Sequence, residues 1–90
     1  MSSQNLIIYK FSSLYHILEE LNLDLKFKII YLDSENLLIE KIKNLNDYLI
    51  ISNRKKLNLS NQIYLDNKPT NISKLVEKIN IEFLKLHFNN

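Results

Sequence analysis

Two kinds of hydrophobic pattern alternate along this chain. Leu6-Ile7-Ile8-Tyr9 and Tyr48-Leu49-Ile50-Ile51 are unbroken apolar runs. A run without alternation suits a strand buried on both faces. Between and after them come stripes at helical spacing. Leu14, Ile17, Leu18 and Leu21 recur at i, i+3, i+4 and i+7, and Phe11 extends the stripe one turn back. This predicts a first helix, capped by the hydroxyl of Ser12 or Ser13 and ended by Asn22. Leu38, Ile42 and Leu45, supported by Leu37 and Lys41, predict a second, shorter helix after an Asp33-Ser34 turn and cap.

Lys26-Phe27-Lys28-Ile29 alternates before Ile30-Tyr31-Leu32 turns continuous. Lysines on a strand discourage edge pairing, which places this second strand at a sheet edge. Ile63-Tyr64-Leu65 predicts a fourth strand, followed by an Asp66-Asn67-Lys68-Pro69 turn. Pro69 cannot lie inside the helix that follows, so Thr70 or Asn71 caps it. That last helix carries Ile72, Leu75, Val76, Ile79, Phe83 and Leu86 on one stripe.

The element order is β-α-β-α-β-β-α. It predicts a single α/β domain over residues 1–90, in three α/β/α layers around a largely parallel four-stranded sheet. Right-handed crossovers put the second and third strands on opposite sides of the first, giving the order 2-1-3-4. The polar connection over residues 52–62 leaves the fourth strand's direction open. A parallel crossover normally takes a dozen or so residues with a helix. An antiparallel return is the alternative.

Composition narrows the chemistry. With 46% hydrophobic residues, the chain of 90 is too apolar to stay disordered. Twelve basic and ten acidic residues leave a net charge of +2, which by itself argues for neither nucleic acid nor membrane. The apolar runs fall far short of the roughly 18 residues that span a bilayer. The start, MSSQN, lacks the basic-then-apolar order of a signal peptide, so a cytoplasmic protein is expected. There is no cysteine, which excludes disulfides and zinc–thiolate sites. There is no glycine either, which excludes a P-loop or a dinucleotide fingerprint. Turns needing positive φ then fall to asparagine, present at 22, 53, 58, 61 and 67.

A strand, then Lys68-Pro69, then a capped helix with Leu75 and Ile79 on its stripe resembles the end of response-regulator receiver domains. The order of the earlier elements fits the first half of a receiver. The resemblance implies a regulatory domain, as in the N-terminal parts of winged-helix transcription regulators, with Lys68 at the position that meets the phosphoryl group. The residues depart from the family at its chemistry. The segment after the first strand is Tyr9-Lys10-Phe11-Ser12-Ser13, without a carboxylate to hold Mg²⁺. The third strand ends Ile51-Ser52-Asn53, without the aspartate that accepts phosphate, and Asp47 lies at its other end. The resemblance therefore implies a truncated, phosphorylation-independent module acting through dimerisation or protein contact. It reaches DNA only through a domain not present here. The element order also resembles thioredoxin-like folds, which implies a cysteine-free adaptor of the KaiB type as the alternative.

The last helix has more apolar residues than one face needs. Ile81, Leu84 and Phe88 form a second stripe in its C-terminal half, with His87 beside them. Apolar surface in excess of a docking face marks an interface, so these residues are the expected contact with a second copy or a protein partner. Packing of this stripe under a neighbouring segment is the plainer reading. Arg54-Lys55-Lys56 is a candidate contact for phosphates, although three loop charges without a basic helix nearby also read as ordinary surface. Lys68, with no anion in view, reads as a solvated turn lysine before it reads as a phosphoryl contact. His16 and His87 have no metal-ligand spacing around them, and no catalytic triad, cofactor or metal site is indicated. The tyrosines at 9, 15, 31, 48 and 64 fall in or near strands and are expected in the core or at its rim.

Overall fold

A computed structural model of the chain describes residues 4–20, 27–45, 47–53, 61–65 and 71–88. The elements are β1 (Asn5–Tyr9), α1 (Ser12–Glu20), β2 (Lys28–Leu32), α2 (Glu35–Lys43), β3 (Tyr48–Ser52), β4 (Gln62–Tyr64) and α3 (Ile72–Phe88). The sheet order is β2-β1-β3-β4. All three pairings are parallel: Asn5 stands opposite both Lys28 and Tyr48, and Ile51 opposite Ile63. The architecture is thus the α/β layering and strand order read from the pattern.

The direction of the fourth strand, left open by the sequence, is parallel, and the antiparallel alternative falls. Ile50 donates its N–H to the carbonyl of Asn61 at 2.8 Å, and Leu65 donates to the carbonyl of Ser52 at 2.9 Å. These slanted bonds run β4 in the direction of β3. With them goes the antiparallel strand of the thioredoxin-like alternative. The turn at Asn61 has φ 65, a left-handed conformation that asparagine tolerates better than branched residues. Asn61→Gly is expected to keep the stability of the parent, whereas Asn61→Val is expected to lose about 1–2 kcal/mol. Urea unfolding of the two variants checks the contrast.

Every residue of β1 is buried, because it lies between β2 and β3 and under helices on both sides. Side chains alternate between two cores. Leu6, Ile8, Leu49, Ile51 and Ile63 face α1 and α3. Ile7, Tyr9 and Ile50 face α2. Lysine 28 is exposed on the edge strand β2, as expected. Strand β2 starts at Lys28, and Phe27, read as part of the alternating run, precedes it and is buried.

One helix face is rotated from the predicted one, while α2 docks by the predicted Leu38, Ile42 and Leu45 without help from Leu37. In α1 the docked stripe is Phe11, Leu14, Tyr15 and Leu18, while Ile17 is 42% exposed. On that face the ring of Tyr15 lies 5.3 Å from that of Tyr31 on β2, a contact that favours this orientation. In α2 only Leu38 is buried; Leu37, expected to support it, is 49% exposed. Leu37 and Ile39 lie about 100° to either side of Leu38, so neither reaches the sheet.

The helix starts also refine the expected caps. Tyr15 donates its N–H to the carbonyl of Phe11 at 3.2 Å, so Phe11 is the capping position and Ser12 and Ser13 lie in the first turn. Ser34 is the N-cap of α2, but its hydroxyl makes no capping bond. Asn71 caps α3 with its side chain: Oδ1 accepts from the N–H of Ser73 at 3.0 Å and of Lys74 at 3.4 Å. Asn71→Ala is expected to cost about 1 kcal/mol, measured by thermal unfolding, and Asn71→Asp to cost little.

Candidate functional site

In open α/β sheets, ligands gather beyond the carboxyl ends of the strands, where the strand order reverses. Here that point lies between β1 and β3. The described residues at it are Lys10, Phe11 and Ser12 after β1, Ser52 at the end of β3 and Asn53 after it. Lysine 10 has φ 52 and lies with its ammonium 5.5 Å from the ring centre of Tyr9. Ser52 is completely buried. Asp33, after β2, is exposed. Asp47 lies at the opposite end of the sheet, where its carbonyl accepts from the backbone N–H and the side-chain Nδ2 of Asn5. Among the described residues, no three of His, Cys, Asp and Glu come together in a metal-binding group. Lys68 and the Arg54-Lys55-Lys56 cluster lie outside the described residues.

The second candidate is the outer side of α3. Its inner stripe is seated in the core: Leu75, Ile79 and Phe83 are buried, and Ile72, Val76 and Leu86 pack around them. The ring of Phe83 lies 5.7 Å from that of Phe27. On the outer side, Ile81, Leu84 and Phe88 are 45%, 55% and 81% exposed. Their spacing of three and four residues makes one continuous apolar ridge. His87 belongs to the same helical turn, and its side chain lies outside the described ones.

One flank of the ridge is charged with both signs. Lys78, Glu82 and Lys85 follow each other at spacings of four and three, and Lys85 Nζ lies 3.3 Å from Glu82 Oε1. An exposed pair of this kind is worth only about 0–1 kcal/mol, so it can be redirected cheaply. Beside this flank opens a cleft of about 300 Å³ lined by Leu49, Asn61, Gln62, Ile63, Glu82, Lys85 and Leu86. Its lining mixes apolar residues, Leu49, Ile63 and Leu86, with polar ones, Asn61, Gln62, Glu82 and Lys85. The sequence held no signal for it, because β3, β4 and α3 each supply part of the lining.

Tyr15 packs against the same core from α1. A hydrogen bond to the Glu19 carboxylate, helped by desolvation and by the carboxylate's negative charge, holds its phenol above the usual value. That group belongs to α1 and lies apart from the α3 ridge. Among the described residues, no helix is long and apolar enough to cross a membrane. Comparison of the chain with protein-family models, with curated proteins and with solved structures gives no match.

Proposed function

We propose that this chain is a receiver-like regulatory module that works without phosphorylation, by pairing with a second copy through the outer face of α3. The observation that carries the reading is the ridge of Ile81, Leu84 and Phe88, exposed on a helix whose inner stripe already docks on the sheet. The mixed charges on its flank favour a like copy over a nucleic acid or an acidic peptide. A strongly charged partner would find no single-sign field there. A two-fold pairing needs a self-complementary patch, and alternating Lys and Glu supply one. On this reading any DNA contact is made by another domain.

Magnitudes say what kind of pairing to expect. Fully burying a large apolar side chain is worth about 1.5–3 kcal/mol, and these three are already partly covered. Three such residues from each copy give a gross gain on the order of 10 kcal/mol. Association costs about 4–15 kcal/mol, so the dimer is weak, micromolar or looser, and open to regulation. Sedimentation equilibrium over a concentration series tests this. The parent chain is expected to dimerise reversibly, and Leu84→Glu to remain monomeric with an unchanged circular dichroism spectrum. A parent chain that stays monomeric up to millimolar concentration overturns the reading.

A further inference from the structure

We propose that the two copies set their α3 helices side by side and parallel, with each Glu77 between Lys74 and Lys78 of the other copy. The inference rests on the pairing proposed above and gives it a direction. The exposed face of α3 is charged unequally on its two sides. At 100° per residue, Ile81 and Leu84 continue a line that starts at Lys74 and Glu77, one to two turns earlier. The spacings along it are three, four and three, the seam of a heptad pattern. Lys78 and Lys85, both exposed, border the seam on one side. Ser73 and Asn80, which carry no charge, border it on the other, and His87 follows them by position. Glu82 lies beyond the lysines, its Oε1 3.3 Å from Lys85 Nζ.

A two-fold axis can run across the helices or along them, and the two choices treat this asymmetry in opposite ways. An axis across α3, between Ile81 and Leu84, runs the helices antiparallel, and each side then faces itself. Lys85 of each copy comes beside Lys78 of the other. Glu77 comes level with position 88, where its carboxylate would give up water next to a ring. An axis along α3 runs the helices parallel, and each side faces the opposite one. The lysine side then meets Ser73 and Asn80. Ile81 meets Ile81 and Leu84 meets Leu84, so the apolar seam is covered in either arrangement. In knobs-into-holes packing, Glu77 enters a hole walled by Lys74, Glu77, Lys78 and Ile81 of the other helix. Two carboxylates then lie among four ammonium groups, which offsets their own proximity. The repulsion between lysines selects against the antiparallel choice.

The test uses the whole chain with Ser73→Cys, a unique thiol in a sequence without cysteine, carrying a nitroxide spin label. Dipolar coupling between labels is measured by electron paramagnetic resonance, at a concentration where sedimentation finds the dimer. Parallel helices keep both labels at one level, and a separation below about 20 Å is expected for helices 8–10 Å apart with their label arms. Antiparallel helices place each label about nine residues from the axis, so roughly 28 Å separates the two along α3 alone. That result overturns the parallel arrangement and leaves the pairing standing. Charge reversal gives a second readout. Lys78→Glu is expected to raise the dissociation constant about threefold or more, because it sets a second carboxylate beside Glu77 of the other copy. In the antiparallel arrangement the same change removes the clash with Lys85 and tightens the dimer. A dissociation constant unchanged or lowered by Lys78→Glu therefore also overturns the parallel arrangement. A parent chain that never dimerises overturns both readings.

Discussion

Replacing Phe83 by alanine is expected to lower the free energy of unfolding by about 3–5 kcal/mol, read from urea unfolding followed by circular dichroism. Phe83 is buried, and its ring meets that of Phe27 just ahead of the edge strand β2. It therefore ties the C-terminal half of α3 to the segment that leads into β2, on the same face of the sheet. Alanine there removes the ring and leaves a cavity that stiff neighbours such as Ile79 cannot fill. A domain of this size is stabilised by only about 5–15 kcal/mol in all, so the loss is a large part of the whole. The neighbouring residue supplies the control. Leu84→Ala is expected to change stability by no more than about 0.5 kcal/mol, because Leu84 faces outward. Equal losses at 83 and 84 would mean that α3 is rotated from the orientation described.

Leu38→Ala is expected to cost about 2–5 kcal/mol and to loosen one layer of the domain in particular. Leu38 is the one buried residue of α2, and it closes the core formed by Ile7, Tyr9 and Ile50. The helix spans only residues 35–43, too short to persist in water without its docking contact. Amide hydrogen exchange of the variant should show α2 losing protection while β1 and α3 keep theirs. A loss below 1 kcal/mol, or even protection across all elements, would contradict this account.

The parts of the fold that were legible are those in which one physical rule decides. Leu6 to Tyr9 reads as a doubly covered strand because nothing polar interrupts it, and it is the most buried strand of the sheet. Lys28 marks its strand as an edge because a buried lysine would need a partner. The ridge on α3 was visible because Ile81, Leu84 and Phe88 exceed what one helix face can bury. Where two rules compete, tertiary contacts decide. Spacing put Ile17 on the docked face of α1, whereas Tyr15 packs there, its ring against Tyr31, and Ile17 is exposed. Length argued against a parallel crossover after β3, yet β4 is parallel. Lys10 holds a left-handed backbone that no lysine announces; the tight exit from β1 requires it, with the Lys10 N–H held by the carbonyl of Leu32 at 2.9 Å. The cleft was invisible because it is a property of three elements meeting.

The all-parallel sheet also governs how the chain finds its shape. No two neighbouring strands are joined by a hairpin, so no pair of strands can zip from a local turn. Strand β1 needs β2 on one side and β3 on the other. A β1-α1-β2 unit formed early would leave the second edge of β1, Leu6 to Ile8, bare until residues 48–51 arrive. Contacts this distant in sequence slow folding relative to helical domains of equal length. During synthesis the stickiest strand of the sheet is thus made before both of the strands that cover it, and is among the last to be fully covered.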